Sequence, residues 1–197
     1  MKTTAKTFFI SMAALLIAIV LHELAHGLVA YILGDDTAKR SGRLTLNPLK
    51  HLDIFGLISL LVFKFGWANP VPVNSSKLKS YNVGMFFVSI AGITINFLLA
   101  FITARVAKDI SFSSEVVRDF VFYFIIYNLN LAFFNLIPLP PLDGSNIILS
   151  FFPETTAYEV HRYNRYTQLI LLALIISGAV SKFLGMIIQP VFLWMVS

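Results

Sequence analysis

Cysteine is absent from the chain, which excludes disulfide crosslinks and thiolate ligands and leaves imidazole and carboxylate groups to hold any transition metal. Charge is also scarce. Asp, Glu, Lys and Arg make up 13% of the 197 residues, against 57% in the hydrophobic set. The mean hydropathy of +0.80 is higher than a soluble domain tolerates. The apolar residues fall in long runs separated by short charged stretches, so the expected core is a bundle of helices in lipid. Internal repeats, low-complexity segments and room for a soluble domain are all missing, which leaves a single integral-membrane domain over residues 1–197. The net charge of +5 is scattered at the ends of the runs and in one loop. That distribution suits a lipid bilayer, and without a basic stripe or a base-stacking motif it does not suit nucleic acid.

What is present is a set of runs long enough to cross a membrane. From Phe8 to Leu33 only His22, Glu23 and His26 carry charge near neutral pH, and a helix of that length spans about 39 Å at 1.5 Å per residue. Lys2 and Lys6 ahead of it imitate a signal peptide, but the run is too long and no A-x-A cleavage site precedes the polar cluster, so it reads as a retained helix. Further spans are expected at about Val83 to Ala104, Val116 to Ile137 and Leu169 to Trp194, the last interrupted by Lys182, Gly185 and Pro190. A shorter run, Ile54 to Phe63, sits among Asn47-Pro48, Gly66, Asn69-Pro70 and Pro72 and reads as a re-entrant or interfacial hairpin. The expectation is an all-α, polytopic membrane protein: a bundle of about four transmembrane helices with a re-entrant or hairpin loop between the first and second spans. Lys39, Arg40, Arg43, Lys50, Lys64, Lys77 and Lys79 lie between those two spans. This bias puts the loop in the cytoplasm, as in a multi-pass protein of the cell membrane, with the N-terminus outside.

Within the first span, His22-Glu23-Leu24-Ala25-His26 is H-E-x-x-H. The 3.6-residue period puts His22 and His26 one turn apart on one face, so both imidazoles can reach one ion. Glu23 lies about 100° round the helix from His22, placed to hold a water on that ion without ligating it, which suits a general base. Charged groups at bilayer depth are costly and usually face a functional cavity. A catalytic zinc takes three protein ligands and leaves a position for water. Asp143 is the best third candidate: Asn135-Leu136-Ile137-Pro138-Leu139-Pro140-Pro141-Leu142-Asp143-Gly144 ends the third span in three prolines, and broken backbone at membrane depth must be buried in protein or line a wet cavity. Asp143 could instead simply cap a short helix running to about Phe152. His51 and Asp53 are rival ligands in the loop.

With both segments in view, the chain resembles the site-2 protease family of intramembrane zinc metalloproteases, in its compact branch without a PDZ domain. The resemblance covers most of the chain and rests on His22 to His26, on Asn135 to Gly144 for the family's N-x-x-P-x-x-x-L-D-G element, and on Gly92-Ile93-Thr94-Ile95-Asn96 for its G-x-x-x-N element. The loop segments Gly42 to Pro48 and Gly66 to Asn74 are similar to the compact branch as well. Ile93 and Ser145 depart from the commoner residues at their positions, and neither departure removes a ligand or the base. The resemblance implies one zinc ion bound by His22, His26 and Asp143, with Glu23 activating water against a peptide bond in or near the transmembrane helix of a membrane-protein substrate. Asn96 would position substrate or stabilise the developing oxyanion. An asparagine in a span also serves simply to bond another helix. The rival from another class is an intramembrane zinc transporter or metal sensor without hydrolytic activity. It requires a relay of polar residues across several spans, and the second and fourth carry little beyond Asn96, Thr94 and Lys182. Substrate identity and oligomeric state have no signature in the sequence.

Overall fold

The computed structural model describes residues 5–53, 56 and 68–197. Among these the regular elements are helices, numbered here in chain order: α1 (Ala5–Ile32), α2 (Thr37–Arg40), α3 (Tyr81–Ala107), α4 (Glu115–Asn135), α5 (Asp143–Leu149), α6 (Glu154–His161), α7 (Asn164–Ile176) and α8 (Ala179–Val196), with 3₁₀ turns at Pro48–Lys50 and Ser75–Lys77. Four of them, α1, α3, α4 and α8, are long and apolar enough to cross a bilayer. The all-α bundle of four spans is therefore as expected. The anticipated re-entrant piece, Ile54 to Phe63, lies outside the described residues apart from Gly56. Its flanks are joined by an antiparallel bridge between Leu52 and Ala68 and by a 2.8 Å bond from Asn69 N to His51 O.

α1, α3 and α4 pack on one another, and α8 rests against α3 and α4. Small residues make the approach possible. Ala14, Ala18 and Ala30 of α1 and Ala100 and Ala104 of α3 are fully buried, and in lipid, where apolar side chains gain nothing by leaving the solvent, close contact between small residues drives association. Many large side chains of the spans point outward, Phe9 70% and Ile32 72% exposed, while Leu129 and Met195 are fully buried. α1 ends in a Schellman motif: Gly34 takes φ 110°, Gly34 N bonds Tyr31 O and Asp35 N bonds Ala30 O.

The last apolar run is broken, but at none of the three residues that interrupt its sequence. α7 stops at Ile176, Gly178 takes φ 77° and α8 begins at Ala179, with Pro190 accommodated inside it. Gly178 ends α7 because it adopts left-handed backbone at no steric cost. After α4 the chain turns through Pro138, Pro140 and Pro141, the last two joined by a cis peptide, and re-enters helix at Asp143.

Candidate metal centre

His22 and His26 stand one turn apart on α1, and Asp143 opens α5. His22 Nε2 and His26 Nε2 are 3.0 Å apart, and each lies 3.2 Å from Asp143 Oδ2. This triangle is the single cluster of three potential metal ligands among the described residues. Asp143 is not a helix cap. The N-cap position belongs to Leu142, and no side-chain capping bond forms. His51 is buried elsewhere with Nε2 on Thr45 O at 2.8 Å, and Asp53 accepts from Gly56 N at 2.7 Å, so neither rival ligand joins the triangle.

The other ring nitrogens fix the chemistry of the three. His22 Nδ1 faces Asn96 Oδ1 at 2.5 Å, and His26 Nδ1 faces the Val88 carbonyl at 2.7 Å. Both partners are acceptors, so both Nδ1 atoms carry the proton, and in a neutral imidazole Nε2 is then a bare lone pair. Asp143 Oδ2 is buried and has no hydrogen-bond partner. Two nitrogen lone pairs and a carboxylate oxygen thus converge on one point, an arrangement that repels itself unless a cation sits between them. A tetrahedral zinc with bonds of about 2.0 to 2.1 Å holds its donors about 3.3 to 3.4 Å apart, so the residues present fit such an ion with a small opening of the triangle.

The spacing of the motifs now has a physical reason. A Cβ at Gly92 would stand 2.6 Å from His22 Cε1 and 2.7 Å from His22 Nδ1, and closer still to His26 Nε2. Only glycine lets α3 approach the two rings, and Asn96 follows one turn later at the right height to bond His22. A Cβ at Gly144 would meet the backbone at the end of α4, 2.5 Å from the Leu136 carbonyl carbon and 2.7 Å from Ile137 O. The glycine after Asp143 therefore allows α5 to start hard against that turn.

Glu23 shares the same turn of α1 and is held from the loop: Val71 N donates to Glu23 Oε2 at 2.7 Å. Pro70 and Pro72 lack an N–H and restrict the residues before them to extended backbone, so the Val71 amide is the one donor between Asn69 and Val73. Arg43 Nη2 donates to Asn69 O at 2.6 Å and Pro70 O at 3.1 Å, and Asn74 N donates to Asp35 Oδ2 at 2.6 Å. Three charged side chains thus clamp residues 69–74 over the His22–His26 turn of α1, where Gly27 leaves the space. A Cβ there would lie 3.0 Å from Val71 Cγ1 and 2.5 Å from Leu44 Cδ2. Burial works against the Asp35 carboxylate, yet hydrogen bonds from Thr37 and Asn74 and the charge of Lys77 hold it below the usual carboxylate range.

Asn96 is fully buried, and its amide is spent completely: Oδ1 on His22, Nδ2 on Ala18 O at 3.2 Å and on Asn128 Oδ1 at 2.7 Å. Its oxygen is turned to His22 and both of its N–H groups away from the triangle. Sequence reasoning missed two participants. The Val71 amide is a backbone group with no side-chain signature. Asn128, on the third span, was signalled by being a polar residue inside an apolar run.

Comparison with known proteins finds one family and two curated relatives. The model of Peptidase family M50 matches residues 104–178. The chain is 43% identical over 171 residues to the "Putative zinc metalloprotease YwhC" of Bacillus subtilis, covering 83% of this chain and 78% of that protein. It is 25% identical over 182 residues to the "Putative zinc metalloprotease Rip2" of Mycolicibacterium smegmatis, covering 89% and 70%. No solved structure matches it.

Proposed function

We propose, from the premise that this chain belongs to peptidase family M50, that it is a zinc endopeptidase cutting peptide bonds in or near the transmembrane segments of other membrane proteins. The observation that carries this reading is the convergence of His22 Nε2, His26 Nε2 and Asp143 Oδ2 within 3.2 Å of one another, in a multi-pass bundle whose first span also carries Glu23.

When bound, zinc supplies Lewis acidity, acidifying water and polarising a peptide carbonyl. His22 and His26 from α1 and Asp143 from α5 would hold it between two elements, so the site is complete only when α5 is docked. Glu23 is the proton carrier. Its Oε2 is fixed by the Val71 amide, and Oε1 has no hydrogen bond among the described residues, which leaves Oε1 to take a proton from water and pass it to the departing amine nitrogen. Asn96 keeps His22 in the ligating tautomer.

A transmembrane substrate hides its carbonyls in helical hydrogen bonds, so it must unwind locally before it is cut. The extended backbone around Val71 and Val73 offers such a strand an edge to pair with. On the positive-inside rule the basic loop and the mouth of the site face the cytoplasm.

Metal analysis of the detergent-purified protein, paired with cleavage of a model transmembrane substrate, tests the reading. Wild type should carry one zinc and cut; Glu23→Gln should keep the zinc and lose cleavage by a factor of about 10³ or more; His22→Ala should lose zinc. Cleavage persisting in purified Glu23→Gln excludes Glu23 as the base.

A further inference from the structure

We infer that Asn128 is a positioning residue for the metal centre: from the third span it sets the direction of a hydrogen-bond relay that decides which nitrogen of His22 is free to bind the ion. The inference rests on the reading of His22 as a ligand and extends it to a residue whose side-chain hydrogen bonds go to Asn96 and the Phe124 carbonyl and not to His22.

The relay crosses three helices. Asn128 Nδ2 donates to the Phe124 carbonyl at 2.8 Å, one turn back on α4. Asn128 Oδ1 accepts from Asn96 Nδ2 on α3 at 2.7 Å. Asn96 Oδ1 faces His22 Nδ1 on α1 at 2.5 Å. Asn96 and Asn128 are both fully buried.

The two ends of a carboxamide are nearly the same shape but opposite in polarity, so an asparagine is oriented by its partners. A backbone carbonyl accepts and never donates. The Phe124 carbonyl therefore turns the amine of Asn128 toward itself and the oxygen toward Asn96. That oxygen turns the amine of Asn96 away from the centre and its oxygen toward His22. Facing an acceptor, Nδ1 must hold the proton, and Nε2 is left as the lone pair that points at His26 Nε2 and Asp143 Oδ2.

Without the Asn128 oxygen, the orientation of Asn96 depends on its longer, 3.2 Å bond to Ala18 O alone, and one buried N–H loses its partner. The flipped amide then competes. It presents an amine to His22, favours the tautomer protonated at Nε2 and takes that nitrogen out of coordination. His26 needs no such relay, because its Nδ1 rests directly on the Val88 carbonyl.

Two substitutions separate this role from plain helix packing. Asn128→Leu keeps the branched shape of the side chain and removes the acceptor. Asn128→Asp keeps an oxygen facing Asn96 in either protonation state. Nitrogen-15 imidazole spectra of the metal-free protein in detergent, and zinc affinity by competition with a chelating dye, are the readouts. Wild type and Asn128→Asp should show His22 protonated at Nδ1 and bind zinc within about threefold of each other. Asn128→Leu should show a mixture of tautomers at His22, an unchanged His26, and zinc binding weaker by about 10-fold or more. Should leucine disturb folding, Asn128→Ala removes the same acceptor. Unchanged His22 tautomer and zinc affinity in the folded Leu or Ala variant would overturn the inference, as would a loss in Asn128→Asp equal to that in Asn128→Leu. Because the spectra are recorded without metal, they judge the relay even if the wild type were found to bind no zinc, a result that would instead count against the functional reading.

Discussion

At membrane depth, α1, α3 and α4 contribute His22, Glu23, His26, Asn96 and Asn128, and each of these side chains has a hydrogen-bond partner on another element. α8 contributes Ser181, Lys182 and Gln189, none with a side-chain hydrogen bond among the described residues, and its buried positions are Leu184, Ile188 and Met195. α7 buries Leu171 alone. Polar groups in a bilayer are expensive, and here these five are gathered where three spans meet. The C-terminal pair is an apolar flank to that centre, and substitutions in the two regions should have very different consequences.

The largest effect is expected at Gly92. Gly92→Ala drives a methyl group into both imidazoles, which are pinned at Nδ1 and cannot yield. Zinc affinity should fall about 100-fold, readable by metal competition in a protein whose helical content is unchanged. Gly144→Ala should come next. Its methyl meets backbone carbonyls rather than a flexible side chain, so overpacking should cost about 1 to 3 kcal/mol and move Asp143, lowering both the melting temperature in detergent and zinc occupancy.

A smaller effect is expected from acid. Because the Asp35 carboxyl is held below its unfolded value, its contribution is fully present above about pH 4 and is lost as pH falls through the lower, folded pKa. Protection of the Asn74 and Val71 amides from hydrogen exchange, taken relative to the intrinsic rate at each pH, should therefore fall below about pH 4. Asp35→Asn should already exchange fast at neutral pH, because its amine would face the Asn74 N–H, at a cost of about 1 to 3 kcal/mol. The smallest effect is expected at Gly185 in α8, where an added methyl meets nothing within 4 Å. Gly185→Ala should leave cleavage and zinc binding unchanged and shift stability by no more than about 1 kcal/mol, in the stabilising direction. A loss of zinc in Gly185→Ala comparable to that in Gly92→Ala would erase the contrast between the two regions.

Much of this division was legible in the sequence, because it depends on periodicity. Two histidines four apart in a helix must share a face, so His22 and His26 were paired before any coordinates; three prolines after a span made Asp143 the leading third candidate, with a helix cap and the loop residues His51 and Asp53 as alternatives. The G-x-x-x-N element was legible as a pattern but not as a contact: that Gly92 clears the imidazoles and Asn96 bonds one of them depends on the depth at which α3 crosses α1. The clamp on residues 69–74 was hidden, since a backbone amide such as that of Val71 looks like any other in sequence. The position of the break in the last apolar run was not legible: Lys182, Gly185 and Pro190 are the conspicuous interruptions, whereas Gly178 ends α7 through a positive φ that glycine adopts cheaply.

The claim on which the rest depends is that α1 and α5 hold one metal ion jointly. X-ray absorption at the zinc edge, on the purified protein and on Asp143→Ala, tests it most directly. The wild type should give one zinc per chain with two imidazole nitrogens and carboxylate or water oxygens at about 2.0 to 2.2 Å, and the variant should lose the carboxylate and most of the bound metal. An unchanged spectrum and stoichiometry in Asp143→Ala would contradict the account.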